Sequence, residues 1–202
     1  MINHDEAARI EAALRAAQSR TSGEIVFVLA RASSNYEIMP FVWSALLALI
    51  APWPLLQLTE ISAERIYLVQ LTVFLVALVI LTLPALRLAL TPARVRRANA
   101  HRAALEQFAL RGLARGGARS GVLLYVSSAE RFARIIADEA AAKAIPQKDW
   151  QALIDQLLID MKSGATAEAL IGAATRCGDL LAQHFPPRDG AARPFPHRFH
   201  MI

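Results

Sequence analysis

IMPFVWSALLALIAPWPLLQLT, residues 38–59, and IYLVQLTVFLVALVILTLPAL, residues 66–86, carry no charged side chain. A bilayer core is about 30 Å thick and takes about 20 apolar residues of helix to cross. Both stretches reach that length, and only Glu60-Ile61-Ser62-Ala63-Glu64-Arg65 lies between them. The remainder of the chain is soluble in character. The pattern predicts a transmembrane hairpin inserted into a soluble domain. Two buried core helices would also shelter such runs, but neighbouring runs of this length without apolar–polar alternation are rare in small soluble domains. Pro52-Trp53-Pro54 marks the outer end of the first span or a kink in it, because proline removes a backbone donor.

The flanks set an orientation. Arg87, Arg94, Arg96, Arg97 and Arg102 follow the second run, and Arg20 and Arg31 precede the first. The connecting loop has Arg65 beside Glu60 and Glu64. Positive charge next to a span stays on the cytoplasmic side. The expectation is a protein of the inner (plasma) membrane with two spans and both termini cytoplasmic. The formal net charge is +5, and its place beside the spans accounts for it better than a nucleic-acid partner does. The arginines also suit anionic headgroups. Residues 1–21 lack the basic–apolar–small pattern of a signal peptide. The single cysteine, Cys177, excludes an internal disulfide and reads as a small core hydrophobe.

Outside the spans, two signals alternate. Ile10, Leu14 and Ala17 mark one helix face. Thr21-Ser22-Gly23 ends that helix, and Glu24–Ala30 reads as a buried strand. Ala93–Leu113 reads as a helix with Val95, Leu105 and Phe108 inward. After a glycine-rich loop, Gly121–Ser127 reads as a second buried strand. Ser128-Ala129-Glu130 turns the chain, and Arg131–Ala137 returns antiparallel to it. A short helix to Ala144 follows. Beyond Pro146, Trp150, Leu153, Ile154, Leu157, Leu158 and Met161 form a continuous helical stripe closed by Gly164. Leu170, Ala174, Cys177, Leu181 and Phe185 mark a last helix. The fold class expected is α/β (α+β): a small mixed sheet flanked by helices and interrupted by the two-helix hairpin. Its divisions are 1–36, the spans 38–59 and 66–90, 93–185, and a flexible basic tail at 186–202. Neither soluble fragment buries its strands alone, so the first strand needs a partner from beyond the hairpin.

Four stretches resemble the TPM domain, a small α/β domain of bacteria and plastids. They are Thr21-Ser22-Gly23-Glu24-Ile25-Val26, Ser120-Gly121-Val122-Leu123-Leu124-Tyr125-Val126, Ala129-Glu130-Arg131 with Arg134-Ile135-Ile136, and Gly164 through Phe185. The first resembles the bacterial branch with Thr-Ser-Gly-Glu at this turn. The resemblance implies links to phosphatase activity, calcium binding or the care of photosynthetic membrane complexes. The chain departs from the acidic members at telling places. Ser120 stands where they have Asp or Asn, and Glu130 where they have Asp. Asp138-Glu139-Ala140 replaces a Gly-x-Gly, and Pro146-Gln147 a later Asp. A divalent-ion site needs several converging oxygens, so these changes count against a metal-dependent phosphatase.

The acidic candidates that remain are Glu130, Asp138 and Glu139, expected near one end of the sheet. Solvation of a turn and of a helix start explains the same residues. The glycines at 112, 116, 117 and 121 lack the lysine and the strand–loop–helix order of a phosphate loop. His197 and His200 sit among prolines, not on a helix. No acid or base lies deep in either run, as an ion path would need. The expected function is a membrane-anchored binding or assembly and maintenance factor whose partners are the lipid bilayer and other membrane proteins. The runner-up is a metal-assisted phosphatase at the cytoplasmic membrane face. No cofactor is predicted; Ca²⁺ or Mg²⁺ enters only with the runner-up.

Overall fold

The structure, a computed structural model, describes residues 2–34, 36, 38–60, 62–113, 120–187 and 199–202. In chain order it begins with α1 (His4–Ser19), β1 (Glu24–Ala30), α2 (Ile38–Ile50), α3 (Pro52–Leu58), α4 (Ala63–Leu81) and α5 (Pro84–Ala89). There follow α6 (Ala93–Leu110), β2 (Gly121–Ser127), β3 (Phe132–Ala137), α7 (Glu139–Ala144), α8 (Gln147–Lys162), α9 (Thr166–His184) and β4 (Phe199–Met201). They form two compact units, Met1–Ser33 with Arg97–Ile202, and Ser34–Arg96.

The first unit is a mixed four-stranded sheet in the order β3-β2-β1-β4. β1 and β2 are parallel over their full length, from Glu24 opposite Gly121 to Ala30 opposite Ser127. β3 returns antiparallel to β2. Alternate side chains of the central strands go to opposite faces. Ile25, Phe27, Val122, Leu124 and Val126 pack with Ile10, Leu14, Leu157, Leu170 and Leu181 of α1, α8 and α9. Val26, Val28, Leu123 and Tyr125 pack on the other face with Ala104 and Phe108 of α6 and with Leu113. Both faces are covered, which is why β1 and β2 read as unbroken apolar runs.

Local chemistry fixes the joints. The Asn3 side chain accepts the Glu6 N–H at 2.7 Å, and the Glu6 carboxylate accepts the Asn3 N–H at 2.8 Å, a reciprocal cap on α1. At the α1–β1 turn, buried Thr21 donates its hydroxyl to the Phe185 carbonyl at 2.6 Å and accepts the Gly23 N–H at 3.1 Å. The Glu24 N–H then reaches the Ser120 carbonyl at 2.6 Å. The Thr-Ser-Gly-Glu stretch thus ties α1, β1, α9 and the start of β2 together. Gly178 of α9 faces α1 so closely that a Cβ there would lie 2.8 Å from the Ala17 Cβ.

The second unit contains two helical stretches, Ile38–Leu58 of 21 residues and Ala63–Leu81 of 19, long and apolar enough to cross a membrane. Their large side chains are mostly exposed, among them Leu49, Leu75 and Val79. Two hydroxyls in these stretches find partners within their own helices. Thr72 donates to the Leu68 carbonyl at 2.8 Å, and buried Ser44 to that of Phe41 at 2.9 Å. Phe41 and Phe74 meet edge to face with ring centroids 5.7 Å apart.

The first run breaks at the expected prolines: α2 stops at Ile50 and α3 restarts at Pro52, whose missing N–H suits a first helical position, within one apolar stretch from Ile38 to Leu58. Several expectations change. The second helix starts at Ala63, taking Glu64 and Arg65 out of the loop, and closes at Leu81 before Pro84 opens α5. On α6 the buried residues are Ala100, Ala104 and Phe108, while Leu105 is exposed. β3 begins at Phe132 because Arg131 takes a left-handed φ of +49° in the turn. The expected flexible tail, 186–202, ends in regular structure. Phe199–Met201 add to β1 as a parallel strand, extended by the Ile202 N–H on the Leu29 carbonyl at 3.0 Å and the Arg31 N–H on the Ile202 carbonyl at 2.9 Å. The free edge of β1 supplies the reason: its backbone groups need partners. Residues 188–198, with Pro194, Pro196 and His197, and residues 114–119, where a glycine-rich loop was expected, lie outside the described residues.

Candidate functional site

The three acidic candidates do not converge. Glu130 sits in the β2–β3 turn and Asp138 just past the other end of β3, a six-residue strand. At about 3.4 Å per residue, that strand holds them about 17 Å or more apart. This overturns the expectation of a shared sheet end; flanking one strand in sequence puts two residues at its opposite ends. Asp138 is buried and caps α7, its carboxylate accepting the Ala141 N–H at 2.8 Å and the Ser120 hydroxyl at 3.0 Å. Ser120 is thus a donor to a structural carboxylate. Glu139 is exposed and pairs with Lys143 at 2.6 Å, one helical turn on. Among the described residues, no group of three or more His, Cys, Asp and Glu side chains is placed to hold a metal ion.

Glu130 belongs instead to a polar network at the carboxyl ends of β1 and β2. Its carboxylate accepts the Ser33 N–H at 2.9 Å and the Ser127 hydroxyl. The Ser33 hydroxyl and the Tyr125 phenol lie 3.1 Å apart. Burial above all, and then the Glu130 and Glu106 charges, raises the Tyr125 phenol above its ordinary value, against the opposing effect of the Ser33 hydrogen bond. The phenol therefore stays protonated at neutral pH and serves as a hydrogen-bonding group. Nothing in the sequence marks Ser33 as its partner, because the contact spans the whole insertion.

Beside this network opens a cleft of about 660 Å³, bounded by Glu6, Arg31, Ser128, Thr166 and Ile202. Open α/β sheets place ligands outside the carboxyl ends of their parallel strands, and this cleft has that position. Its walls mix backbone, hydroxyl and charged groups with the apolar Ile2, Leu29 and Met201. A lining of this kind, apolar with a few polar groups, is the composition in which ligand sites are built.

Two further acids and the single thiol have structural roles. Asp155 and Asp160 accept hydrogen bonds from Gln151 and Gln156 one turn earlier on the same helix. Cys177 is fully buried, and burial pushes its thiol up to about 12, leaving it inert.

The pieces in place are a parallel β1–β2 pair, an antiparallel β3, and closing helices α8 and α9. A family model described as the TPM domain matches residues 76–180, slightly more than half of the chain. The chain belongs to the TPM domain family. The match takes in the Ser120–Val126 and Ala129–Ile136 stretches and most of α9, but not Thr21–Val26, although β1 is the central partner of β2. Among solved structures, the BA42 protein of the psychrophilic bacterium Bizionia argentinensis, determined by NMR, is similar. Its TM-score is 0.61 at 16% identity, covering 100% of this chain and 96% of that one. At that identity the likeness is one of fold. No curated protein matches the chain.

Proposed function

We propose that this TPM-domain protein is anchored in the inner membrane by α2–α3 and α4 and acts, without chemistry of its own, as a binding factor in the assembly or maintenance of other membrane proteins. The observation that carries the reading is the pairing of β1 with β2 across the apolar insertion. One sheet is built from strands on both sides of two exposed apolar helices in the chain. If those helices cross a bilayer, an even number of crossings returns the chain to the side it left, and the sheet can close. The charge asymmetry favours the cytoplasmic side for both termini. Only 17% and 6% of the two apolar windows are buried within the protein, which suits a lipid solvent better than a water-shielded core. The cleft at the carboxyl ends of β1 and β2 is the surface this reading assigns to a partner.

Three measurements test it. After an alkaline wash the chain stays in the membrane pellet, and Leu75→Arg, at about 2.5–3.5 kcal/mol for a mid-helix arginine, reduces that fraction. Reporters fused after Ile202 and within 60–64 give opposite sidedness. A photo-crosslinker at Thr166, on the rim of the cleft, captures integral membrane proteins. A chain that remains folded in the supernatant without detergent refutes the anchor. Hydrolysis of p-nitrophenyl phosphate with Ca²⁺ or Mg²⁺, abolished by Glu130→Gln, would replace the binding reading by the phosphatase.

A further inference from the structure

β3 is an edge of the sheet, and its outer side is not covered by another described strand. The phase of its pairing is fixed at one end, where the Asp138 N–H donates to the Gly121 carbonyl at 2.9 Å. In an antiparallel pair, hydrogen-bonded and non-hydrogen-bonded residues alternate. Ile136 and Arg134 therefore bond inward to Leu123 and Tyr125. Ile135 and Ala137 turn their N–H and C=O groups outward. Those outward groups border a cavity of about 210 Å³. Helices from both layers overhang it, with His101 and Leu105 of α6 on one side and Ala142, Gln147 and Trp150 of α7 and α8 on the other.

The polar groups of this slot are under-used. Trp150 is 3% exposed and its indole N–H has no acceptor. The Nδ1 of His101 is also buried without a partner. Arg134 lines the slot, is exposed, and has no ion-pair partner among the described residues. An unpaired buried donor costs about 1–3 kcal/mol, so a slot left this way favours a ligand that brings acceptors. A free strand edge between two walls favours one that brings a backbone.

We propose that the β3 edge slot receives an extended, acidic peptide segment as an added strand. Its backbone pairs with the outward N–H and C=O groups of Ile135 and Ala137, and a carboxylate side chain meets Arg134 on the α6 side. The inference rests on the binding reading above and adds to the cleft a second contact, sharing no residue with it, at which the partner supplies a stretch of alternating apolar and acidic residues.

The test uses the full chain in detergent micelles, with Trp43→Phe and Trp53→Phe so that Trp150 is the only indole. The probe is an acetylated, amidated octapeptide of alternating valine and glutamate; its counterpart has lysine for glutamate. The glutamate peptide should change Trp150 emission saturably and protect the Ile135 and Ala137 amides from exchange. The lysine peptide should bind at least tenfold more weakly, and Arg134→Glu should reverse that order. Ile135→Pro removes an outward donor without touching the β2 ladder and should weaken the glutamate peptide severalfold. The proposal is overturned if neither peptide acts, if both bind equally, or if free glutamate gives the same response. Amide protection that rises with protein concentration alone would assign the edge to a second copy instead. Loss of peptide binding with membrane-protein crosslinks retained at Thr166 sinks the strand alone. Peptide binding without such crosslinks sinks the membrane-partner reading.

Discussion

The helices of the two units use the same residues in opposite ways. In α8 and α9, Leu157, Leu170 and Leu181 are buried to within 1% of complete. In α2 and α4, Leu49 is 71% exposed and Val79 72%. Both sets are apolar and helical, so composition does not separate them. The polar residues between do. α8 interleaves Asp149, Gln151, Asp155 and Gln156, which gives one wet face and one dry one. α4 beyond Arg65 has only Gln70, Thr72 and weakly polar neighbours, and no wet face. A helix that shows one face to water declares a core beneath it. A helix that shows none declares a solvent other than water or a complete coat of protein.

The sharpest way to break this comparison is a matched pair of truncations. Leu157→Ala should cost about 2–5 kcal/mol, because it leaves a cavity in the close-packed face under the sheet. Val79→Ala should stay within about 0.5 kcal/mol, because its side chain packs against little of the protein. Two readouts in rising urea cover both units: labelling of Cys177, the single thiol, reports the opening of the first unit, and circular dichroism reports the loss of helix in both, α4 included. Equal costs at the two positions would mean that α4 is a core helix after all.

A smaller effect probes how tightly the first unit is built. Gly178→Ala puts a methyl group 2.8 Å from the Ala17 Cβ and 3.0 Å from its Cα. Neither atom can swing aside, so α1 and α9 must separate. The expected loss is about 1–3 kcal/mol, despite the better helix propensity of alanine. Gly172, on the same helix with open space around it, is the control, and Gly172→Ala should stabilise. The same urea titration checks both.

These contrasts also mark what was legible from sequence. The elements of the first unit follow from apolar period, because burial acts on residues close together in the chain. Ile10, Leu14 and Ala17, and the Trp150–Leu157 stripe, are cases of it. Glu24–Ala30 and Gly121–Ser127 were readable as strands, and their need for each other followed from the lack of other partners. On α6 the expected Phe108 is buried, but alanines at 100 and 104, not the larger Val95 and Leu105, complete the buried face. The three residues of β4 are too few to show a period, and their pairing is set by the free edge of β1. The site was least legible. Glu130 and Asp138 are neighbours along the chain but sit at opposite ends of β3. Ser33, which bonds Glu130 and Tyr125, lies across the insertion from both. Trp150 read as core, which it is, and only the geometry reveals an indole N–H without an acceptor.

Cys177 offers a further, smaller test through pH. Its thiol ordinarily titrates at about 9 and is held at about 12 by burial. The unfolded chain therefore releases a proton in the alkaline range that the folded chain keeps. Above pH 9 the unfolded state binds fewer protons, so stability falls as pH rises and goes on falling toward pH 12. By pH 10 the loss should be about 1–1.5 kcal/mol. Cys177→Ala should remove this part of the slope between pH 8 and pH 10, as measured by circular dichroism in urea. An unchanged slope would mean that the thiol is not sealed in the folded state.

The smallest effect concerns the β2–β3 turn. Arg131 holds a left-handed φ of +49°, where an L side chain costs about 1–2 kcal/mol. Glycine adopts that conformation freely but loses more chain entropy on folding. Arg131→Gly should therefore stabilise the unit by about 0.5–1 kcal/mol. It also removes a positive charge beside Glu130, yet Glu130 keeps the Ser33 N–H and the Ser127 hydroxyl as donors. The gain is a property of the backbone, so Arg131→Asn should recover part of it and Arg131→Val should lose stability. If Arg131→Gly destabilises instead, the arginine side chain supports the Glu130 network, and the turn belongs to the functional end of the sheet rather than to its folding.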